Sequence, residues 1–125
     1  MARVLVLTGD LLFGSRVQGT LTAAGHEVEL VSDESRLRER LADPAAGSAG
    51  VLIVDLTDAA LDGAGVLEAL QGDDRLGGVS TLGFYSHVDV PARERAERAG
   101  FDMVVPRSRI AREGATLIER MAAQP

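Results

Sequence analysis

Asp55 is the residue of this sequence that is best placed to do chemistry. It follows Val51–Val54, a run of apolar and largely β-branched residues that predicts a strand buried on both faces. In open α/β sheets, ligands and reacting groups lie just beyond the carboxyl ends of the strands, so a carboxylate there is placed to bind a ligand or to react. The alternative is that Asp55 only turns or caps the chain at the end of a strand.

The segments that must position Asp55 alternate between strand and helix patterns. The strand patterns are Arg3–Leu7, His26–Val31, Val51–Val54, Val79–Tyr85 and Phe101–Val105. The helical patterns are Leu11–Ala24, a segment capped by Ser32, a short segment after Gly63, Pro91–Ala99 and Ser108–Ala122, with a loop over Asp43–Gly50. Because parallel strands need helical crossovers, this alternation predicts an α/β fold, a doubly wound sheet of five strands and five helices in one domain over 1–125.

Two kinds of local signal define the helices further. Ser32 and Ser108 are predicted N-caps, and Gly25 and Gly100 are predicted to end helices, Gly25 with a positive φ. In the first helix, one buried face is predicted for Leu12, Phe13, Val17, Leu21 and Ala24.

Composition excludes several classes of function. The net charge of −6 argues against a nucleic-acid partner, because binding to the phosphate backbone needs clustered cations. The absence of cysteine excludes thiol chemistry and favours a reducing compartment, and no apolar run is long enough to span a membrane. We therefore expect a cytoplasmic protein without membrane contact. All thirteen basic residues are arginine, so no mechanism that requires a lysine is available.

Three motifs together resemble the receiver domains of two-component response regulators, from end to end of the chain. They are the strand that ends in Asp55, the pair Asp62-Gly63 seven and eight residues later, and Ala99-Gly100-Phe101-Asp102 before the fifth strand. The resemblance implies a flavodoxin-like sheet of order 2-1-3-4-5. Because 125 residues fill one domain, we expect no output domain. The resemblance also implies that Asp55 occupies the position that accepts a phosphoryl group from a histidine kinase.

The sequence departs from receiver domains where they bind Mg²⁺. In the family, the first strand ends in a pair of acids that hold the metal, but Thr8 and Gly9 stand at the aligned positions. Asp10 replaces them only if the turn shifts by one residue, and its alternative role is to cap the first helix. Since Mg²⁺ usually takes one or two carboxylates, we expect at most weak Mg²⁺ binding, through Asp10 and Asp55, and no other cofactor.

The other conserved functional positions of the family are also altered. Arg107 aligns with the phosphate-binding lysine, and it either contacts a phosphate or is simply solvated beside Ser108. Tyr85 aligns with the small hydroxyl residue that ends the fourth strand, with Ser86 one step later. Val104 aligns with the aromatic residue of the switch, so the usual coupling pair is absent. His87 in the following loop is either a base or ligand, or solvated.

These departures predict a degenerate receiver, or pseudo-receiver, that is not an enzyme. Asp55 keeps the place of the phosphoacceptor without most of the groups that stabilise a transferring phosphoryl. The domain is then expected to signal through a protein partner, a histidine kinase or an effector, or as a homodimer, through the 91–110 region.

Two alternatives stay open. The first is a working phosphoacceptor that binds its metal through Asp10, Asp55 and the Thr57 carbonyl. The second is nucleotide or small-ligand binding at the strand ends, since Gly9–Arg16 is a near miss to a phosphate loop, although it lacks the lysine and its apolar residues predict a helix.

Overall fold

The computed structural model describes residues 2–43 and 49–122, in which strands and helices alternate. The strands are β1 (Arg3–Leu7), β2 (Glu27–Val31), β3 (Val51–Asp55), β4 (Ser80–Tyr85) and β5 (Met103–Pro106). The helices are α1 (Leu11–Ala23), α2 (Glu34–Ala42), α3 (Gly63–Gly72), α4 (Val90–Ala99) and α5 (Arg107–Ala122). These bounds confirm the predicted alternation of elements and shift most of their ends by one or two residues.

The five strands form one parallel sheet of order β2-β1-β3-β4-β5, which confirms the predicted flavodoxin-like order. β3 lies in the middle of this sheet, between β1 and β4. Leu7 is in register with Val54, and Asp55 is in register with Phe84. The residue that follows Leu7, Thr8, therefore reaches the edge of the sheet beside Asp55.

The core lies on both faces of the sheet, because successive strand side chains point to opposite faces. In β1, Val4 and Val6 pack with α1 and α5, whereas Leu5 and Leu7 pack with α2, α3 and α4. All five residues of β3 are buried, as its continuous apolar pattern predicts for a central parallel strand. The sheet is thus covered on both faces, and its carboxyl edge carries Asp55.

Four local predictions are wrong in ways that the backbone explains. α2 is capped by Asp33, whose Oδ1 accepts the Arg36 N–H at 2.8 Å, because Ser32 lies one residue too early to reach it. Ser108 is no cap, since α5 begins directly after β5 and includes it. Leu12 is 84% exposed, and Ala24 is exposed too. The inner face of α1 is instead formed by Phe13, Val17 and Leu21 at helical spacing.

The two predicted helix-ending glycines are confirmed, with a φ of 95° at Gly25 and 100° at Gly100. Part of the predicted loop over 43–50 lies outside the described residues. Within the described ranges, no helix has the length and apolar character needed to cross a membrane.

Gly63, the first residue of α3, packs too tightly against the sheet for any side chain. A Cβ at this position would lie 2.6 Å from Val54 Cγ1 and 3.0 Å from the Asp55 carbonyl oxygen. Real Cβ atoms do not approach other atoms that closely. The glycine of the Asp62-Gly63 pair is therefore required because α3 starts directly against the end of β3.

We expect Gly63→Ala to lower the free energy of unfolding by about 1–3 kcal/mol, because a buried strand must move to admit the methyl group. Gly72→Ala is the matched control: it lies at the other end of α3, and a Cβ there meets nothing within 4 Å. Urea denaturation of the two variants tests this. Equal stability of the two would contradict the close contact between α3 and β3.

Candidate functional site

The carboxylate of Asp55 is buried at the end of β3 and is fully engaged by hydrogen bonds. Thr8 Oγ1 donates to Oδ2 at 2.7 Å, and Thr57 donates to Oδ1 through both its backbone N–H, at 2.7 Å, and its hydroxyl, at 2.6 Å. A buried carboxylate is costly unless such donors surround it. Both oxygens of Asp55 are thus satisfied by neutral groups of the chain itself.

Thr8 connects this carboxylate to the start of α1. Its Oγ1 also accepts the backbone N–H of Asp10 at 3.0 Å, so one hydroxyl holds both the Asp55 side chain and the β1–α1 turn. At the position where the resemblance to receiver domains implies a metal-binding acid, the chain thus has a hydroxyl that serves as both donor and acceptor. Gly9, the other aligned position, is exposed.

Asp10 caps α1, which is one of the two roles predicted for it from the sequence. Its Oδ1 accepts the Phe13 N–H at 3.0 Å, and its Oδ2 accepts from Arg107 at 2.9 Å. The pKa of Asp10 is lowered, first by the hydrogen bond from the Phe13 backbone and further by the positive charge of Arg107. The Asp10 carboxylate is therefore committed to α1 and to Arg107.

Arg107 is held in place by two contacts and is not simply solvated. Besides its ion pair with Asp10, its guanidinium lies 4.2 Å from the centroid of the Phe13 ring. Stacking on an aromatic face suits the planar guanidinium better than it would an ammonium. Phe13 in turn packs on Phe84 of β4, with ring centroids 5.0 Å apart.

The side chains described so far offer Mg²⁺ two carboxylates, Asp55 and Asp10, that already accept hydrogen bonds. Among residues 2–43 and 49–122, no three acidic or histidine side chains are grouped so that they could hold a metal ion. Mg²⁺ needs near-octahedral oxygen ligation, whereas Asp55 and Asp10 already direct their oxygens at the donors described above. Thr57, considered above for its carbonyl, also donates to Asp55 through its hydroxyl and N–H.

Asp58 is an acid near the site that the sequence interpretation missed. A Cβ built on Gly9 would lie 3.1 Å from Asp58 Oδ2, so this carboxylate lies beside the β1–α1 turn. Its Oδ1 accepts the Ala60 N–H at 3.0 Å within its own loop. Its position three residues after Asp55 was the available signal, but nothing in the sequence showed that the loop folds back towards Gly9.

The remaining predicted site residues lie around β4. Tyr85 is buried at its end, with the Arg93 guanidinium 5.9 Å from the ring centroid, and Val104 packs with the core on the same face as α4. Ser86 and His87 follow in the loop, where they line one cavity together with Thr57 and Arg107. The structure therefore brings Ser86, Thr57 and Arg107 together.

The segment Gly9–Arg16 is not a phosphate-binding loop. α1 begins at Leu11. From Gly14 onward its backbone N–H groups form the hydrogen bonds of the helix, and the Gly14 N–H donates to the Asp10 carbonyl at 2.8 Å. The helical pattern predicted from Leu11–Phe13 is confirmed.

We expect Thr8→Val to lower the free energy of unfolding by about 1–3 kcal/mol. The change keeps the shape of the side chain but leaves Asp55 Oδ2 and the Asp10 N–H without their partner. Thr22→Val, on the exposed side of α1, is the control and is expected to cost about 0.5 kcal/mol or less. Urea denaturation distinguishes the two, and a neutral Thr8→Val would show that this hydroxyl holds nothing in place.

Asp10 gives the stability a defined pH dependence. Because folding lowers its pKa below the ordinary value of 3.8, its contribution is present above that pH and is lost as the pH falls through the lower, folded pKa. The difference in unfolding free energy between the wild type and Asp10→Asn should therefore be largest near neutral pH and shrink as the pH falls below about 4. Urea titrations across this range test it, and a difference that does not change with pH would contradict the role of the charge.

The fold is shared with solved receiver domains, although no protein-family model and no curated protein sequence matches the chain. The receiver domain of the Francisella response regulator 1452 superposes with a TM-score of 0.80 at 13% identity, covering 98% of this chain and 97% of that one. A response regulator receiver domain from Clostridium thermocellum gives 0.79 at 19%, covering 98% and 94%. FixJ-N gives 0.83 at 19%, covering 100% and 96%. The chain therefore has the fold of the response regulator receiver domains.

Proposed function

We propose that this chain is an atypical receiver-like signalling domain that acts through protein–protein contacts and not through Mg²⁺-dependent phosphorylation. The observation that carries the proposal is the environment of Asp55. Its two oxygens accept three hydrogen bonds from Thr8 and Thr57 within 2.7 Å. A nucleophilic carboxylate would have to give up at least one of these bonds before attacking a phosphoryl group.

The charges around Asp55 support the same proposal. Phosphoryl transfer depends on positioning and on cations that neutralise the equatorial oxygens of the transferring group. The acids that would hold a metal are replaced at Thr8 and Gly9, and Asp10 is paired with Arg107 at 2.9 Å. Arg107 is already held by that ion pair and by the Phe13 ring. The pocket thus lacks the acid pair and the lysine that receiver domains use for this reaction.

Partner binding is assigned to the 91–110 region, which includes most of α4. This helix buries only Ala96 and Ala99 and is otherwise largely polar. Its Arg93 forms an i,i+4 ion pair with Glu97 at 2.8 Å, while Arg95 pairs with Glu68 of α3. Val88 and Val90, just before this region, are 76% and 54% exposed. Exposed apolar residues bordered by polar ones are typical of contact surfaces.

The proposed partner is a signalling protein, a histidine kinase or an effector, or a second copy of the chain. Neither nucleic acid nor membrane is expected to bind, given the net charge of −6. We also propose that the chain has no enzymatic activity. We place it in the cytoplasm, because a chain without cysteine fits a reducing compartment.

An amide NMR titration with Mg²⁺ and then with beryllofluoride, a mimic of an aspartyl phosphate, tests the proposal. We expect no saturable shifts in the wild type at millimolar concentrations, because Thr8 and Gly9 replace the acid pair that holds the metal in receiver domains. Saturable shifts at Asp10, Asp55 and Tyr85 that spread into 91–110 would contradict the proposal and identify a working phosphoacceptor.

Gly9→Asp is a gain-of-function control for this titration. Gly9 is exposed, so the variant adds a carboxylate near Asp58 and at one of the two aligned acid positions without disturbing the core. We expect it to bind Mg²⁺ more tightly than the wild type, whereas the uncharged Gly9→Asn should not. If saturable Mg²⁺-dependent shifts occur in Gly9→Asp and in neither the wild type nor Gly9→Asn, the titration is shown to detect Mg²⁺ binding when the ligands are present.

A further inference from the structure

We infer that His26 is a pH-dependent switch, which on protonation exchanges a hydrogen bond with the start of β1 for an ion pair with α5. His26 directly precedes β2 and is buried, with 6% of its surface exposed. Histidine is the side chain that ordinarily changes charge between about pH 5 and pH 8. It lies at the edge of the sheet where the strands begin, opposite Asp55, so the inference goes beyond the proposed signalling role and does not depend on it.

The neutral His26 ring is held by the backbone at the start of β1. The Ala2 N–H donates to Nδ1 at 3.1 Å. A ring nitrogen accepts a hydrogen bond only when it carries no proton, so the proton of the neutral ring is on Nε2. The Ala2 carbonyl in turn accepts the Glu27 N–H at 2.9 Å, beside the first residue pair of the β1–β2 ladder. The neutral ring therefore fixes the residue at which the two strands begin to pair.

Protonation of His26 removes the bond to Ala2. Nδ1 then carries a hydrogen that points at the hydrogen of the Ala2 N–H, and two donors cannot satisfy each other. A buried N–H without a partner is costly, so the ring and Ala2 have to move apart. We therefore expect the charged ring to release Ala2 and to loosen the start of the β1–β2 ladder.

The second partner lies on the other side of the ring. Nε2 is buried and has no hydrogen-bond partner among residues 2–43 and 49–122. Glu119 Oε1, on α5, lies 3.8 Å from it, which is too long for a hydrogen bond. The Glu119 side chain is 60% exposed and has room to approach. A positive charge on the ring attracts this carboxylate, so the charged state gains the partner that the neutral state lacks.

Glu119 is the charged side chain that faces the ring within the part of the chain that the structure describes. The Leu21 carbonyl, at the end of α1, accepts the His26 N–H at 3.1 Å. The other charged residues of α1, of the neighbouring strand positions and of the last turn of α5 are directed elsewhere, because they lie at the far end of their helix, on the opposite face of the sheet or in solvent. They are Arg16, Arg3, Glu27 and Arg120.

The test is an NMR titration of the whole chain from about pH 8 to about pH 5. Long-range ¹H–¹⁵N spectra of the imidazole ring report which nitrogen carries the proton, and the amides of Ala2 and Glu27 report the start of β1. We expect the proton on Nε2 at the upper pH. As the pH falls, both amide signals should shift with the midpoint of the ring, and the protection of the Glu27 amide from exchange should fall about three- to tenfold.

Two variants at the histidines separate the proton from the hydrogen bond. In His26→Asn the side-chain oxygen can accept the Ala2 N–H in place of Nδ1 but takes up no proton in this range, so both amides should lose their pH dependence. His87→Gln removes the other histidine, which is exposed in the β4–α4 loop, and should leave the transition unchanged.

Two variants on α5 test the second partner. Glu119→Gln should move the midpoint of the His26 transition to lower pH by about half a pH unit, because it removes the carboxylate that favours the charged ring. Glu113→Gln removes the same charge from an exposed position of α5, where it pairs with Arg109 at 3.4 Å, and should leave the midpoint unchanged.

Three results would overturn the inference. They are a ring proton on Nδ1 at the upper pH, amide signals of Ala2 and Glu27 that do not follow the titration of the ring, and equal midpoints in Glu119→Gln and Glu113→Gln. A ring that stays neutral down to pH 5 gives the second of these results. Because Glu119 and Glu113 are both exposed, their comparison stands even where His26→Asn fails to fold.

Discussion

The hydrogen bonds to Asp55 are the constraint on which the arrangement of this sheet edge depends. A carboxylate that is 2% exposed must be surrounded by donors, and here they come from β1 through Thr8 and from the loop after β3 through Thr57. The register of Leu7 with Val54 is what brings Thr8 to Asp55, so the sheet and the carboxylate hold each other in place. The residue best placed to react is thereby also a residue that stabilises the fold.

Thr8 extends this constraint from the sheet to two helices. Its hydroxyl accepts the Asp10 N–H, Asp10 caps α1, and the same carboxylate binds Arg107 at the start of α5. Arg107 then stacks on Phe13, which packs on Phe84 of β4. Polar and aromatic contacts thus run from β3 across β1 and α1 to α5 and back to β4. The side chains that would serve a phosphoryl group are used in holding these elements together.

The sequence predicted the fold more completely than the site, for physical reasons. Alternating apolar runs and helical patterns specify which faces are buried, and that sufficed for the alternation of strands and helices and for Asp55 at the edge. The strand order came from the resemblance to receiver domains. An N-cap side chain must reach the free N–H groups of the first helical turn, and a shift of one residue puts them out of reach. Asp33 and not Ser32 therefore caps α2. Contacts distant in the chain had no local signal: the pair Asp10–Arg107 joins residues 97 apart, and Asp58 reaches Gly9 only because its loop folds back.

The most direct test of whether Asp55 has lost its phosphoacceptor role is the intact mass of the chain after incubation with acetyl phosphate and Mg²⁺. Samples are taken at short times beside Asp55→Asn and beside a receiver domain with a complete acid pair, whose adduct shows that the labile phosphate survives the measurement. We predict the unmodified mass for both the wild type and Asp55→Asn. A phosphoryl adduct on the wild type that is missing from Asp55→Asn would contradict the account, because it would show that Asp55 reacts despite its hydrogen bonds.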